Sequence, residues 1–176
     1  MHRLLMGILA LTVAGCMQPQ KKPVAAAPAD LSDQLSVGCY TVDLFDPYKI
    51  NYPKGPVPPE FVKFLGVWKD GAWDGKWCHD LYITDVTADG KVTLLSAYGP
   101  NTARKWEAQI YKRTGQIKDG VLSFDGVLGA KKTYRLVGTS YMVGERSDFV
   151  AKETITLARK DGLAFVPVPP RNPRRG

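Results

Sequence analysis

Trp77-Cys78-His79-Asp80-Leu81-Tyr82-Ile83-Thr84-Asp85-Val86-Thr87, then Ala88-Asp89-Gly90, then Lys91-Val92-Thr93-Leu94-Leu95-Ser96-Ala97-Tyr98-Gly99 is the stretch that decides the fold. Both arms are rich in β-branched and aromatic residues, which suit a pleated, partly buried surface. The Asp-Gly between them is a hairpin signal, because glycine tolerates the positive φ that a tight turn needs. The same pattern repeats downstream. Residues 105–111 alternate, with Trp106, Ala108 and Ile110 on one face and Lys105, Glu107, Gln109 and Tyr111 on the other. Lys118-Asp119-Gly120 forms a second tight turn before a strand at 121–124. Further strands are predicted at 133–137, 140–144 and 153–159, the first two split by Gly138-Thr139 and the last preceded by a loop at 146–148. About eight short strands at regular spacing predict an all-β fold, a small antiparallel up-and-down barrel or a sandwich.

Upstream of the hairpin, residues 59–66 predict one short N-terminal helix. Pro59 suits its first position, Glu60 complements the positive end, Phe61, Phe64 and Leu65 share a face, and Gly66 can end it. Before it, Pro47, Pro53, Pro56, Pro58 and Pro59 interrupt the chain that follows an alternating heptapeptide at 39–45. These prolines force an extended loop without ladder donors. Tyr48 and Tyr52 within it are expected to pack against the body.

The whole chain has 176 residues, 24 Lys and Arg against 17 Asp and Glu, 17 glycines, 13 prolines and 3 cysteines. That length suits one domain with appendages. No apolar run reaches the roughly 18–20 residues of a membrane-spanning helix. Much of the formal net charge of +7 sits near the ends, at Arg3, Lys21, Lys22, Arg171, Arg174 and Arg175. The remaining mild excess is no nucleic-acid footprint, so nucleic acid is not expected as a partner.

Residues 1–15 read as a targeting leader, not structure. A positive n-region at Arg3 precedes an apolar stretch from Leu4 to Ala14, within the length of a secretory signal. It ends in Val13-Ala14-Gly15-Cys16, which resembles the lipobox of bacterial lipoproteins. The resemblance implies cleavage before Cys16 and lipidation of that residue, including palmitate-type acylation. Several acyl chains hold a membrane where one does not, each buried methylene contributing about 0.8 kcal/mol. Met17 in place of an Asp favours the outer membrane. Residues 16–36, with Gln18-Pro19-Gln20-Lys21-Lys22-Pro23 and an Ala/Pro run, then read as a flexible tether. The body spans 37–162, and 163–176 is a Pro/Arg-rich disordered tail that could lie against anionic headgroups. Export leaves Cys39 and Cys78, an even pair in an oxidising compartment, and predicts a disulfide.

Phe64-Leu65-Gly66-Val67-Trp68 after a short helix, leading into a β meander, resembles the opening of lipocalins and related calycin barrels. The resemblance implies a barrel plugged at one end by Trp68, with Gly66 before it, and an interior for an apolar ligand. The continuation through Trp73-Asp74-Gly75, Leu81-Tyr82-Ile83 and Ala97-Tyr98-Gly99 resembles small uncharacterised β-domains of secreted proteobacterial proteins. No activity comes with that second resemblance, and the span after Gly66 is short for a lipocalin.

Candidates for chemistry concentrate around three tryptophans. Trp73, Trp77, Tyr82 and Asp74 could form a ligand-binding platform, aromatic faces stacking on a sugar or apolar body while the carboxylate bonds hydroxyls. The same rings could equally fill a small barrel core. Trp73, flanked by Gly71, Asp74 and Gly75, is expected to be the most exposed. Cys78-His79-Asp80 cannot act as a local triad, since His79 faces away from both neighbours on a strand. Asp70 and Asp74 suit a turn better than a glycosidic acid pair. Lys131, Lys132, Arg135 and Arg146 have separations that permit a basic patch without implying one. No catalytic group, metal site or cofactor is expected. The favoured reading is non-catalytic binding of an apolar or glycan ligand, or of an envelope component. A protein-partner or inhibitor lipoprotein acting through its loops is the alternative, and a hydrolase ranks third.

Overall fold

A computed structural model describes residues 29–41, 49–148 and 151–160. The leader, Cys16, most of the tether, the strand expected at 39–45 beyond Thr41, Tyr48 and the basic tail lie outside the described residues. Within them the chain is all-β. A four-residue helix α1 (Pro59–Val62) leads into eight strands: β1 (Gly66–Trp73), β2 (Trp77–Val86), β3 (Lys91–Tyr98), β4 (Gln109–Lys118), β5 (Val121–Asp125), β6 (Lys131–Val137), β7 (Tyr141–Ser147) and β8 (Lys152–Arg159). Each strand pairs antiparallel with the next, and β8 returns to β1, so the sheet closes as an up-and-down barrel. Closure gives every strand a neighbour on both sides over at least part of its length.

Period-two alternation does the sorting. Trp68, Leu81, Ile83, Leu94, Ile117, Leu122, Met142 and Leu157 all point inward and are essentially fully buried. Phe64 and Leu65 pack over this end, and Trp68 donates its indole N–H to the Phe64 carbonyl at 2.9 Å. The Arg159 guanidinium lies 4.2 Å above the Trp68 ring and donates to the carbonyls of Leu65 and Thr139. Trp68 is thus fully buried at this end, beneath the α1–β1 corner and the Arg159 guanidinium. At the strand level Gly144 is required by its neighbour: a Cβ there would come within 2.6 Å of the Tyr134 ring.

Two irregularities shape the wall. In β1, Lys69 and Asp70 together oppose Asp80, a bulge in which Asp70 takes φ 63°. The β4–β5 ladder runs only from Lys118↔Val121 to Gln116↔Ser123, whereas β4 pairs with β3 from Gln116 up to Gln109. Toward the end opposite Trp68, β4 and β5 thus diverge.

Residues 30–41 cross the outer wall strand by strand. Tyr141 of β7 donates to Asp30, Thr156 of β8 donates to Gln34, and the Ser36 N–H reaches the Asp70 carbonyl of β1. Cys39 and Cys78 of β2 form a disulfide with Cα atoms 5.5 Å apart, and Thr41 donates to Asp80 at 2.8 Å. Residues 30–36, assigned to the tether from sequence, therefore make ordered contacts with the barrel.

Two expectations are corrected. The strand sought at 105–111 begins only at Gln109, because the 3-10 turn Thr102–Arg104 and a left-handed Lys105 (φ 54°) fold the preceding chain into a loop closed by an Asn101↔Trp106 bridge. Tyr52 does not pack; it is 68% exposed. Its loop is held instead by Asn51, whose N–H reaches the Thr84 carbonyl and whose amide donates to Asp85.

Candidate binding site at the mouth of the barrel

The end opposite Trp68 is built from different residues. Trp77 opens β2 and turns inward, stacked on Tyr98 of β3 with ring centroids 4.8 Å apart. Its indole N–H donates to the Gly99 carbonyl at 2.9 Å. Gly99 itself sits where a Cβ would meet the Tyr40 carbonyl at 2.4 Å, so the disulfide-anchored segment helps set this rim. Trp106 lies 5.4 Å from Trp77, and Tyr111 meets Tyr98 edge-on at 6.0 Å. Trp77, Trp106 and Tyr111, with Gln109 and Val127, line a cleft of about 230 Å³. Trp77, Trp106, Tyr111 and Val127 are all half-buried, so each keeps part of its surface on the cleft, with Arg104 5.0 Å over the Trp106 ring and Arg113 4.8 Å over that of Tyr111.

Below the cleft the interior is filled. His79, fully buried, stacks on Tyr98 at 4.6 Å and lies 5.5 Å from Trp73. Its Nδ1 is 2.8 Å from the Ala97 carbonyl and its Nε2 3.0 Å from the Tyr134 hydroxyl. A carbonyl only accepts, so Nδ1 carries the proton and Nε2 accepts from Tyr134. Burial, then the nearby Lys132, pushes the His79 pKa well below the ordinary imidazole range. Burial likewise pushes the Tyr98 phenol up to about 12.

Two cations share this layer. Lys132 of β6 and Arg146 of β7 are register partners, both facing inward and both buried. Arg146 is paired with Asp148 at 3.1 Å and Glu153 at 3.3 Å, and its guanidinium lies 5.4 Å over the Trp77 ring. Lys132 donates to the Tyr98 hydroxyl, which also accepts from Ser96, and sits 4.4 Å and 4.8 Å over the rings of Tyr98 and Trp73. Among the described residues no carboxylate pairs with it. Burial and the Arg146 charge push its amine well below the ordinary lysine range.

The residues picked from sequence are not brought together. Trp77 is in the cleft. Trp73 is not the exposed member but is 1% exposed, because the bulge at Asp70 returns it to the inward register, against Tyr134 and His79. Tyr82 is on the outer wall with Val67, Leu95 and Ala97. Asp74 is exposed in the β1–β2 turn at φ 53°. Asp70 pairs with Lys160 outside the barrel, away from the turn that holds Asp74. Asp80 is outward but covered; burial raises its carboxyl against the pull of Lys69 at 3.5 Å. Of the four basic residues, Lys132 and Arg146 meet, while Lys131 and Arg135 face solvent on the other side of β6.

Sequence reasoning passed over Trp106, Tyr111 and Val127 as cleft residues. Lys132 had a usable signal: in Lys132-Thr133-Tyr134-Arg135-Leu136 it shares a face with Tyr134 and Leu136, which marks it as inward.

Comparison with protein-family models, with curated proteins and with solved structures returns no match to this chain. The fold itself defines the class, a closed eight-stranded antiparallel up-and-down barrel. That architecture is consistent with the lipocalin-like barrel implied by Gly66 and Trp68.

Proposed function

We propose that this chain is a lipid-anchored envelope protein whose barrel binds a small ligand at its mouth without transforming it. The leader ending in Gly15-Cys16 supports the anchor, and the Cys39–Cys78 disulfide is in keeping with an exported, oxidising setting. The single observation that carries the binding reading is the 230 Å³ aromatic cleft, the opening left at one end of an otherwise filled interior. Its volume lies just under the range of small-molecule pockets, which matches a single ring or a short chain and not a ligand swallowed whole. Trp77, Trp106 and Tyr111 offer flat faces on which a sugar or an apolar ring stacks. The described residues lining the cleft include no carboxylate and no histidine, so the acid pair of a hydrolase is not found there.

The test is a glycan and lipid array read with the full mature chain, beside Trp106→Ala. Binding that Trp106→Ala abolishes supports the mouth reading; binding that it leaves intact overturns it. Mass spectrometry of Cys16 decides the anchor separately.

A second reading, docking of an envelope protein, is favoured by the divergence of β4 from β5. Beyond Gln116 the β4 edge borders a 360 Å³ groove lined by Thr114, Ser123, Asp125 and Lys131, among others. An extended peptide could add there as a strand. Substituting Lys112→Pro on that edge would weaken such a partner and leave array binding unchanged.

A further inference from the structure

The mouth contains a second, smaller space. A void of about 10 Å³ lies between Trp77, Tyr98, Trp106, Val127, Lys132 and Arg146. It shares Trp77, Trp106 and Val127 with the 230 Å³ cleft, so the two are consecutive along one path. Its volume is that of about one water-sized sphere, enough for an oxygen atom and little more. The residues it adds to the cleft are a lysine, an arginine and a tyrosine. The outer compartment is therefore aromatic, and the inner one is lined by cationic donors.

Charge sharpens the point. Lys132, Arg146 and Arg113 are the cations that face this layer from β6, β7 and β4, Arg113 lying 4.8 Å over the Tyr111 ring. Glu153 of β8 and Asp148 are the acids; both are in ion-pair contact with Arg146, and Glu153 acts on Lys132 only at longer range. Among the described residues this leaves Lys132 buried, 2% exposed, with no acid of its own. A buried amine without an acid partner is costly in a fold, and a negative group arriving from the cleft would supply the missing counter-charge. The void admits a single oxygen, and a planar carboxylate can seat one there while its flat body lies between the rings of the outer cleft more readily than a tetrahedral sulfate or phosphate.

We propose that the mouth site selects ligands bearing a carboxylate, one oxygen seated between Lys132 and Arg146 and the ring or chain of the ligand lying against Trp77 and Trp106. This rests on the mouth cleft being a binding site and adds the chemical class it takes. The acid can be borne on an apolar ring or on a sugar, and the two sources share the inner contact. Lys132 supplies an N–H donor and, once paired, a full charge; Arg146 stays held by its own acids and orients the second lone pair.

The experiment is calorimetric titration of the full mature chain in nanodiscs with two matched pairs: phenylacetate beside phenylethanol, and cellobiouronic acid beside cellobiose. One acid is expected to bind about tenfold or more tightly than its uncharged partner, the gain of a charge-assisted hydrogen bond. Which pair shows it identifies the body. Lys132→Met, apolar and of similar length, is expected to erase that preference, read as the ratio of the acid's affinity to that of its uncharged partner. Arg113→Gln, at the half-buried rim, reduces the preference without removing it. Equal binding of acid and neutral compound by the unaltered chain overturns the carboxylate proposal, and the mouth reading then stands if Trp106→Ala abolishes both. A preference that survives in a folded Lys132→Met also overturns it. If none of the four compounds binds, both readings fall.

Discussion

The two ends of this barrel use the same device, a cation over an aromatic ring, with opposite results. At the Trp68 end Arg159 covers the indole and spends its donors on backbone carbonyls of the α1–β1 corner and the β6–β7 turn. At the mouth Lys132 covers Trp73 and Tyr98, and its one hydrogen bond goes to a phenol. A cation satisfied by carbonyls closes a structure. A buried cation paired with no acid among the described residues leaves a demand that something else can meet. Under the binding proposal, this difference separates an end held by packing from an end equipped to receive a ligand.

The largest effect should come from the Trp68 end. Trp68→Ala, at a fully buried site ringed by packed side chains, is expected to cost about 5 kcal/mol, the upper part of the range for such truncations. Urea denaturation reads it; a loss near 1 kcal/mol would mean that the end collapses easily and is no plug. Next comes the staple on the outer wall. Replacing Cys39 and Cys78 by Ser removes a cross-link over 39 residues and should cost about 4 kcal/mol in the loop-closure account. Because Gly99 sits against Tyr40 beside this bond, ligand binding at the mouth should weaken with it, whereas the Trp68 end keeps its packing.

The third prediction turns on His79. Its folded pKa is depressed, so below the unfolded value of about 6.5 the unfolded chain binds a proton that the folded chain refuses. Stability is thus complete above pH 6.5 and falls as the pH drops below it, by up to about 1.4 kcal/mol per unit. His79→Gln, able to serve the Ala97 carbonyl and the Tyr134 hydroxyl while not titrating, should flatten the slope between pH 5 and 6.5. An unchanged slope would remove His79 from this role. The smallest stability effect belongs to Trp106→Ala, below about 1 kcal/mol at a half-buried loop position, yet with the largest effect on binding. Were it as damaging as Trp68→Ala, the two ends would not differ in kind.

Much of the barrel was legible. The hairpin at Asp89-Gly90 and the turn at Asp119-Gly120 lie where the sequence predicts, since both need positive φ and carry residues that accept it. The disulfide was legible too. The site was much less so. Glycine and aspartate around Trp73 point to exposure; a bulge at Asp70, three residues earlier and invisible to alternation, turns it inward. Tyr82 looked like a partner of Trp77, but five residues along a strand is an odd step, and it landed on the opposite face. Trp106 was read as a strand residue because its neighbours alternate, while a left-handed Lys105 put it in the loop that roofs the cleft.

By itself, then, the sequence determined the all-β class, the rough number of short strands and the tight turns at Asp89-Gly90 and Asp119-Gly120, since these follow from steps of one or two residues along the chain. Only the closed wall decided that Lys132 stands beside Arg146, that Trp77 meets Trp106, and that one end stays open. Those neighbours depend on inter-strand register, on one bulge and on a ladder that stops at Gln116. Register is a non-local quantity, set when eight strands close on one another, and no periodicity within a single strand contains it.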